Sequence, residues 1–228
     1  MKAALSLLAV LVLTPVALLA AEPRKAPTAV VSALAQPPVM PAAGAKDADV
    51  TIVEFFDYNC PYCKKTAPEL LKLLQVDPKV RILYKEWPIF GDVSEYAARS
   101  ALAANWQSRF LLAHDALIGT AHDLDDNSQV DAVLKSAGVD LTQLAHDRTT
   151  HATEITAILA RDAKEAAALG FHGTPGIVVG RQLLPQSLSV KQLQELTQSA
   201  RTSPKPRRRT IGCDDDKPPS TTIACPFT

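Results

Sequence analysis

The stretch "VTIVEFFDYNCPYCKKTAPELLKLLQ", from Val50 to Gln75, limits the possible folds of this chain more than any other. Its opening seven residues are mostly β-branched or aromatic, the composition of a buried strand. Pro61 suits the first position of a helix, where a missing N–H leaves nothing unpaired. Beyond it Ala67, Leu70, Leu71 and Leu74 recur at helical spacing, with Pro68 expected to kink the helix near its second turn. "VRILYKEWPIF", from Val80, reads as a second strand. A strand, a helix and a strand in this order require a parallel pair joined by a right-handed crossover. The fold class is therefore α/β.

From Asp92 to about Leu169 the pattern is helical. Phe110, His114, Leu117 and Ile118 form one apolar stripe; Val130, Val133, Leu134 and Ala137 form a second. Ile155, Ile158, Leu159 and Ala163 form a third, in an Ala-rich helix stopped by Gly170. "GIVVGRQLLPQ" supplies two short strands around a Gly180-Arg181 turn, and "SVKQLQELTQSA" a last helix capped by Ser189. The order is βαβ, a helical insertion at about 92–169, then ββα, over a domain at 50–200. Before it, residues 22–49 are rich in Ala and Pro and read as a linker or loose arm. After it, residues 201–228 are charged, Pro-rich and aperiodic, an irregular tail outside the core. Arg207, Arg208 and Arg209 there read as a solvated cluster.

The chain begins "MKAALSLLAVLVLTPVALLAA": one Lys, an apolar run from about Leu5 to Leu19, then small residues. This is the pattern of a secretory signal peptide over residues 1–21, cleaved near Ala20 or Ala21. The run is marginal for crossing a bilayer of about 30 Å and is interrupted by Pro15. The expectation is an exported protein that is not membrane-embedded after cleavage. With 24 basic and 24 acidic residues the formal charge is zero, so no global field favours nucleic acid or an anionic membrane.

Export bears on the four cysteines, Cys60, Cys63, Cys213 and Cys225. Outside the cytosol thiols tend to pair, so two disulfides are expected, with Cys213–Cys225 a structural one within the tail. Cys60 falls at the cap of the first helix and Cys63 in its first turn, a separation that allows a disulfide. There the Cys60 sulfur faces unpaired N–H groups and the positive end of the helix dipole. These favour thiolate, a better leaving group, and so a disulfide that is easily reduced. Zinc would want four protein ligands, and no second C-x-x-C or paired His motif is present. A permanent structural disulfide and Cu(I) binding by the reduced pair remain as alternatives.

"FFDYNCPYCK" after a strand, "YKEWPIFG" on the next, a helical insertion and "GTPG" from Gly173 together resemble exported thiol-disulfide oxidoreductases of the DsbA type. The resemblance covers roughly Val50 to Ser199 and implies a thioredoxin-like fold with a helical insertion between the second and third core strands. It implies that Cys60 is the nucleophile and Cys63 its buried partner, with Pro61 and Tyr62 between them, and no cofactor beyond the redox-active Cys60–Cys63 disulfide. It further implies that Pro175 is cis and lies against the cysteines, and that substrate peptides pair with the backbone of Thr174. Glu54 stands where the family often has a buried acid beneath the disulfide, and Lys85 resembles its charged neighbour on the adjacent strand; His172 would border the substrate groove.

The dipeptide between the cysteines departs from the Pro-His of strongly oxidising members, and the cysteine-bearing tail is foreign to the pattern. The implied activity is transfer of the Cys60–Cys63 disulfide to reduced exported proteins in the periplasm, with a membrane thiol oxidase as redox partner. A disulfide isomerase or reductase served by a membrane reductase is the alternative. It would call for a dimer, for which residues 22–49 are the candidate arm. A copper-binding metal-tolerance protein using the same thiols is a third reading.

Overall fold

The computed structural model describes residues 24–34 and 41–203. The sequence motif at 1–21 and the Cys213–Cys225 pair lie outside the described residues. In chain order the elements are β1 (Arg24–Lys25), α1 (Thr28–Leu34), β2 (Ala42–Gly44), β3 (Val50–Phe56), α2 (Pro61–Val76) and β4 (Val80–Glu86). The helical insertion follows as α3 (Asp92–Ala104), α4 (Phe110–Ile118), α5 (Asn127–Ser136), α6 (Leu141–Thr150) and α7 (Ala152–Ala168). The chain then returns through β5 (Gly176–Val179), β6 (Gln182–Leu184) and α8 (Val190–Thr202).

All six strands join one mixed sheet in the order β1-β6-β5-β3-β4-β2. β3 and β4 are parallel, as a helical crossover requires, and β5 runs antiparallel to β3. Because side chains alternate along a strand, the sheet has two buried faces. Ile52 and Phe56 of β3, with Ile82 and Tyr84 of β4, face α2, α8 and most of the insertion. Val53, Phe55, Leu83 and Val178 face the C-terminal end of α7, Phe171 and α1. Burial on both sides explains the near-continuous apolar runs of β3 and β4. The chain adopts the thioredoxin-like fold with the helical insertion between its second and third core strands.

Within the stretch 22–49, residues 24–34 and 42–44 are part of the fold and not a linker. β1 pairs with β6 at one edge of the sheet, and β2 pairs with β4 at the other. Between them Ala26 and Leu34 are buried in the second core cluster, with Val30 and Val31 packed against it. Residues 24–34 thus form a strap joined to the β6 edge and packed on one face, while β2 completes the opposite edge. Strands of two and three residues have no periodicity of their own, and the edges they complete dictate them. Among the described residues no helix is long and apolar enough to cross a membrane.

Candidate active site

The site lies where β3 delivers the chain into α2. Asp57, Tyr58 and Asn59 form the turn, with the Cys60 N–H bonded to the Asp57 carbonyl at 3.1 Å. Cys60 is the N-cap of α2 in extended backbone, and Pro61 is the first helical residue. The Cys63 N–H lies 3.4 Å from the Cys60 sulfur, so the sulfur serves as the cap acceptor. Both cysteines are free and buried.

Their environments differ in one decisive way. Hydrogen bonding from Cys63, aided by the N–H groups of Cys63 and Tyr62, holds the Cys60 thiol down at about 6. Burial opposes this shift and is outweighed. Cys63 is pushed far above the ordinary thiol range, first by burial and then by its hydrogen bond to Cys60. One sulfur is an anion at neutral pH and the other a thiol, an arrangement suited to reversible sulfur chemistry.

Opposite α2 stands the segment between α7 and β5. The Thr174–Pro175 peptide bond is cis. The Thr174 carbonyl oxygen is 3.2 Å from the Cys60 sulfur, and the Thr174 hydroxyl is buried without a hydrogen-bond partner of its own. His172 is exposed on this segment. Tyr62, in the first turn of α2, is 57% exposed, with the Lys65 ammonium 5.4 Å from its ring centroid. The neighbouring Lys64 turns away from the sulfurs and donates to the carbonyls of Thr120 and His122 and to the Thr120 hydroxyl.

Glu54 projects from β3 on the same face as Cys63. Burial, followed by the charge on Cys60, raises its carboxyl to about 8, so it holds its proton at neutral pH. Lys85 is not its partner. Register pairs Glu54 with Tyr84 and Phe55 with Lys85, which sends Lys85 to the opposite face of the sheet. There its ammonium lies 2.6 Å from Glu165 and 3.3 Å from Asp162, both of α7. The expected proximity of Glu54 and Lys85 is corrected by this one-residue offset.

Residues that the sequence reading passed over complete the surroundings. The buried Asp57 carboxylate accepts from Asn59 N–H at 2.7 Å, Ser94 Oγ at 2.8 Å, Ile89 N–H at 2.6 Å and Phe90 N–H at 3.0 Å. It thereby fastens the turn before Cys60 to the start of α3, whose N-cap, Gly91, has no side chain to offer. Ile89 and Phe90, on the loop so held, are exposed apolar residues. The Asn59 amide exchanges two hydrogen bonds with the backbone of Leu124. Tyr58 Oη lies 2.8 Å from Glu86 Oε1 and 3.4 Å from His114 Nδ1, all three residues buried. The residues D, Y and N before the cysteine were visible in the sequence, but their partners beyond the turn lie 28 to 65 residues away. Among the described residues no three His, Cys, Asp or Glu side chains gather as a metal site.

Comparison with known proteins agrees with this geometry. Residues 51–198 match the family model of the DSBA-like thioredoxin domain. A thioredoxin-like oxidoreductase from Silicibacter pomeroyi superimposes with a TM-score of 0.70 at 41% identity, over 74% of this chain and 95% of that one. The thiol-disulfide exchange protein α-DsbA2 of Wolbachia pipientis gives 0.65 at 25% identity, over 70% and 86%. The Na(+)/H(+) antiporter NhaA 1 of Salinispora arenicola is 30% identical over 192 residues, 78% of this chain. This chain spans only 29% of that relative's length.

Proposed function

Since the chain belongs to the DSBA-like thioredoxin family, we propose that it is an exported oxidoreductase that donates its Cys60–Cys63 disulfide to reduced proteins in the periplasm. The observation that carries this reading is the unequal pair: Cys60 held at about 6 at the helix terminus, Cys63 held protonated. A substrate thiolate attacks the Cys60 sulfur, the Cys60–Cys63 bond breaks, and Cys63 leaves and takes a proton. A second substrate thiolate then attacks the substrate sulfur of the mixed disulfide, and Cys60 departs as the stabilised thiolate. Two electrons pass from substrate to enzyme, and a membrane thiol oxidase is the class of partner that would remove them.

The Thr174 carbonyl lies against Cys60, which supports a substrate strand pairing with the Thr174 backbone while its cysteine meets the sulfur. Ile89, Phe90 and Tyr62 give the rim the apolar character that suits an unfolded chain. Glu54 would buffer the proton that Cys63 takes up, as the buried acid on the same face.

The test is oxidation of a two-cysteine peptide by the oxidised protein, beside reshuffling of a scrambled disulfide protein by the reduced one. Fast oxidation that is abolished by Cys60→Ser supports the oxidase. Reshuffling without oxidation makes the chain an isomerase or reductase, and the absence of both activities overturns the reading altogether.

A further inference from the structure

The segment that presents Thr174 to Cys60 is held from a direction that the family match does not include. Residues 24–34 precede the matched region, which begins at 51. Within them, the Arg24 guanidinium donates to the carbonyls of Leu169 at 2.8 Å and Gly170 at 3.4 Å. These are the C-cap of α7 and the residue after it, where helix carbonyls lack partners and the dipole favours a cation. Gly170 has φ +70°, and a Cβ there would lie 2.6 Å from Arg24 Nη2. The two positions are fitted to each other.

From Gly170 the chain reaches Thr174 in four residues, and the first of these is fixed by packing. Phe171 is buried, its ring centroid 5.7 Å from that of Phe55. A Cβ on Gly176 would fall 2.7 Å from the Phe171 ring, so that ring sits directly on the start of β5. Val30 and Val31 of α1 pack against the cluster that contains Phe171 and Leu169. The strap is anchored in turn: Ala26 N–H donates to the Arg181 carbonyl at 2.8 Å, and Arg181 Nε returns a bond to the Ala26 carbonyl at 2.9 Å.

We propose that Arg24 is a positioning residue for polypeptide substrates: through the end of α7 it holds residues 171–175 so that the Thr174 backbone meets the incoming strand. This rests on the oxidoreductase reading above and adds to it a part for the segment before the family domain. Arg24 touches neither sulfur, so it acts on docking and leaves the intrinsic reactivity of Cys60 alone.

The experiment compares the native chain with Arg24→Met and Arg24→Lys. The assay is oxidation of a fluorescent two-cysteine peptide, with glutathione disulfide as terminal oxidant. For Arg24→Met, KM is expected to rise about fivefold with kcat held within about twofold, the scale of one or two lost hydrogen bonds from a charged donor. The rate at which the reduced protein attacks a small aromatic disulfide should not change. Amide hydrogen exchange over residues 171–176 should accelerate by about tenfold, as local opening becomes easier. Arg24→Lys should recover most of both effects. Native-like KM and exchange in Arg24→Met overturn the proposal, as does a small-disulfide rate that falls in step with peptide oxidation. If the native protein fails to oxidise the peptide, the oxidase reading is what falls. Exchange over 171–176 then decides the positioning role alone, unchanged exchange rejecting it.

Discussion

Cys60 and Cys63 are two sulfurs of one helical turn, yet their proton affinities are driven apart. The Cys60 sulfur receives hydrogen bonds from Cys63 and from N–H groups at the start of α2, which exist only because a helix end leaves donors unpaired. Cys63, one turn deeper, has burial against it and the same hydrogen bond working in the opposite sense. The difference predicts how each reacts with an alkylating reagent. Labelling of the reduced protein by iodoacetamide should fall on Cys60, with a rate that rises through a midpoint near pH 6 and reaches a plateau by neutrality. Mass mapping of the labelled peptides over pH 4 to 9 would check this. A midpoint near the ordinary thiol value, or a label on Cys63, would refute the assignment. Of these features the spacing and the cap position were legible in the sequence, because both follow from local rules. The Thr174 contact was legible only through the resemblance, since no local rule links residues 114 positions apart.

Between elements, the two core strands, α2 and the stripes of the insertion could be read from periodicity, which reports the face that a segment buries. What periodicity does not report is register between strands. Glu54 and Lys85 lie on neighbouring strands, and only the pairing of Glu54 with Tyr84 shows that they leave opposite faces. β1 and β2 escaped for a related reason: they are defined by the edges they meet. The correction to Lys85 changes what a substitution there should do. Lys85 Nζ is the buried cation beside Asp162 and Glu165, which Arg161 also reaches, and Asp162 is fully buried. Even beside Lys85, burial keeps Asp162 raised to about 6. Lys85→Met would leave the two carboxyls with Arg161 still beside them, at a cost of up to about 3 kcal/mol. Urea denaturation should show that loss, while the Cys60 alkylation profile stays in place. A variant of native stability with altered alkylation would return Lys85 to the active site.

In the whole molecule, the redox state of one pair is linked to the stability of the entire fold. The Cys60 thiol ordinarily titrates near 9 and is held at about 6 in the folded, reduced protein. Between these values the unfolded chain binds more protons than the folded one, so the contribution to stability grows with pH. It is complete above about 9 and is lost as pH falls through 6. In the oxidised protein Cys60 has no proton to lose, and the contribution is absent. Glu54 works in the opposite sense. Its carboxyl is raised to about 8, so the folded state holds a proton that the unfolded state gives up above about 4.5, and stability declines from there to 8. Part of that shift comes from the charge on Cys60, so the Glu54 effect also depends on redox state. Glu54→Gln removes this second titration. In that background, the stability of the reduced form minus that of the oxidised form should rise by about 1.4 kcal/mol per pH unit from just above pH 6 to about 8, beyond which ionisation of Cys63 in the unfolded chain offsets it, because the fold keeps that thiol protonated. The constant effect of closing the small disulfide loop drops out of the slope. Urea unfolding of both forms at half-unit steps of pH measures it directly. A positive slope means that the fold favours the reduced pair more strongly as pH rises, the thermodynamic source of a disulfide that gives itself away. A flat line would mean that the folded protein does not stabilise the thiolate, and the oxidase reading would lose its driving force.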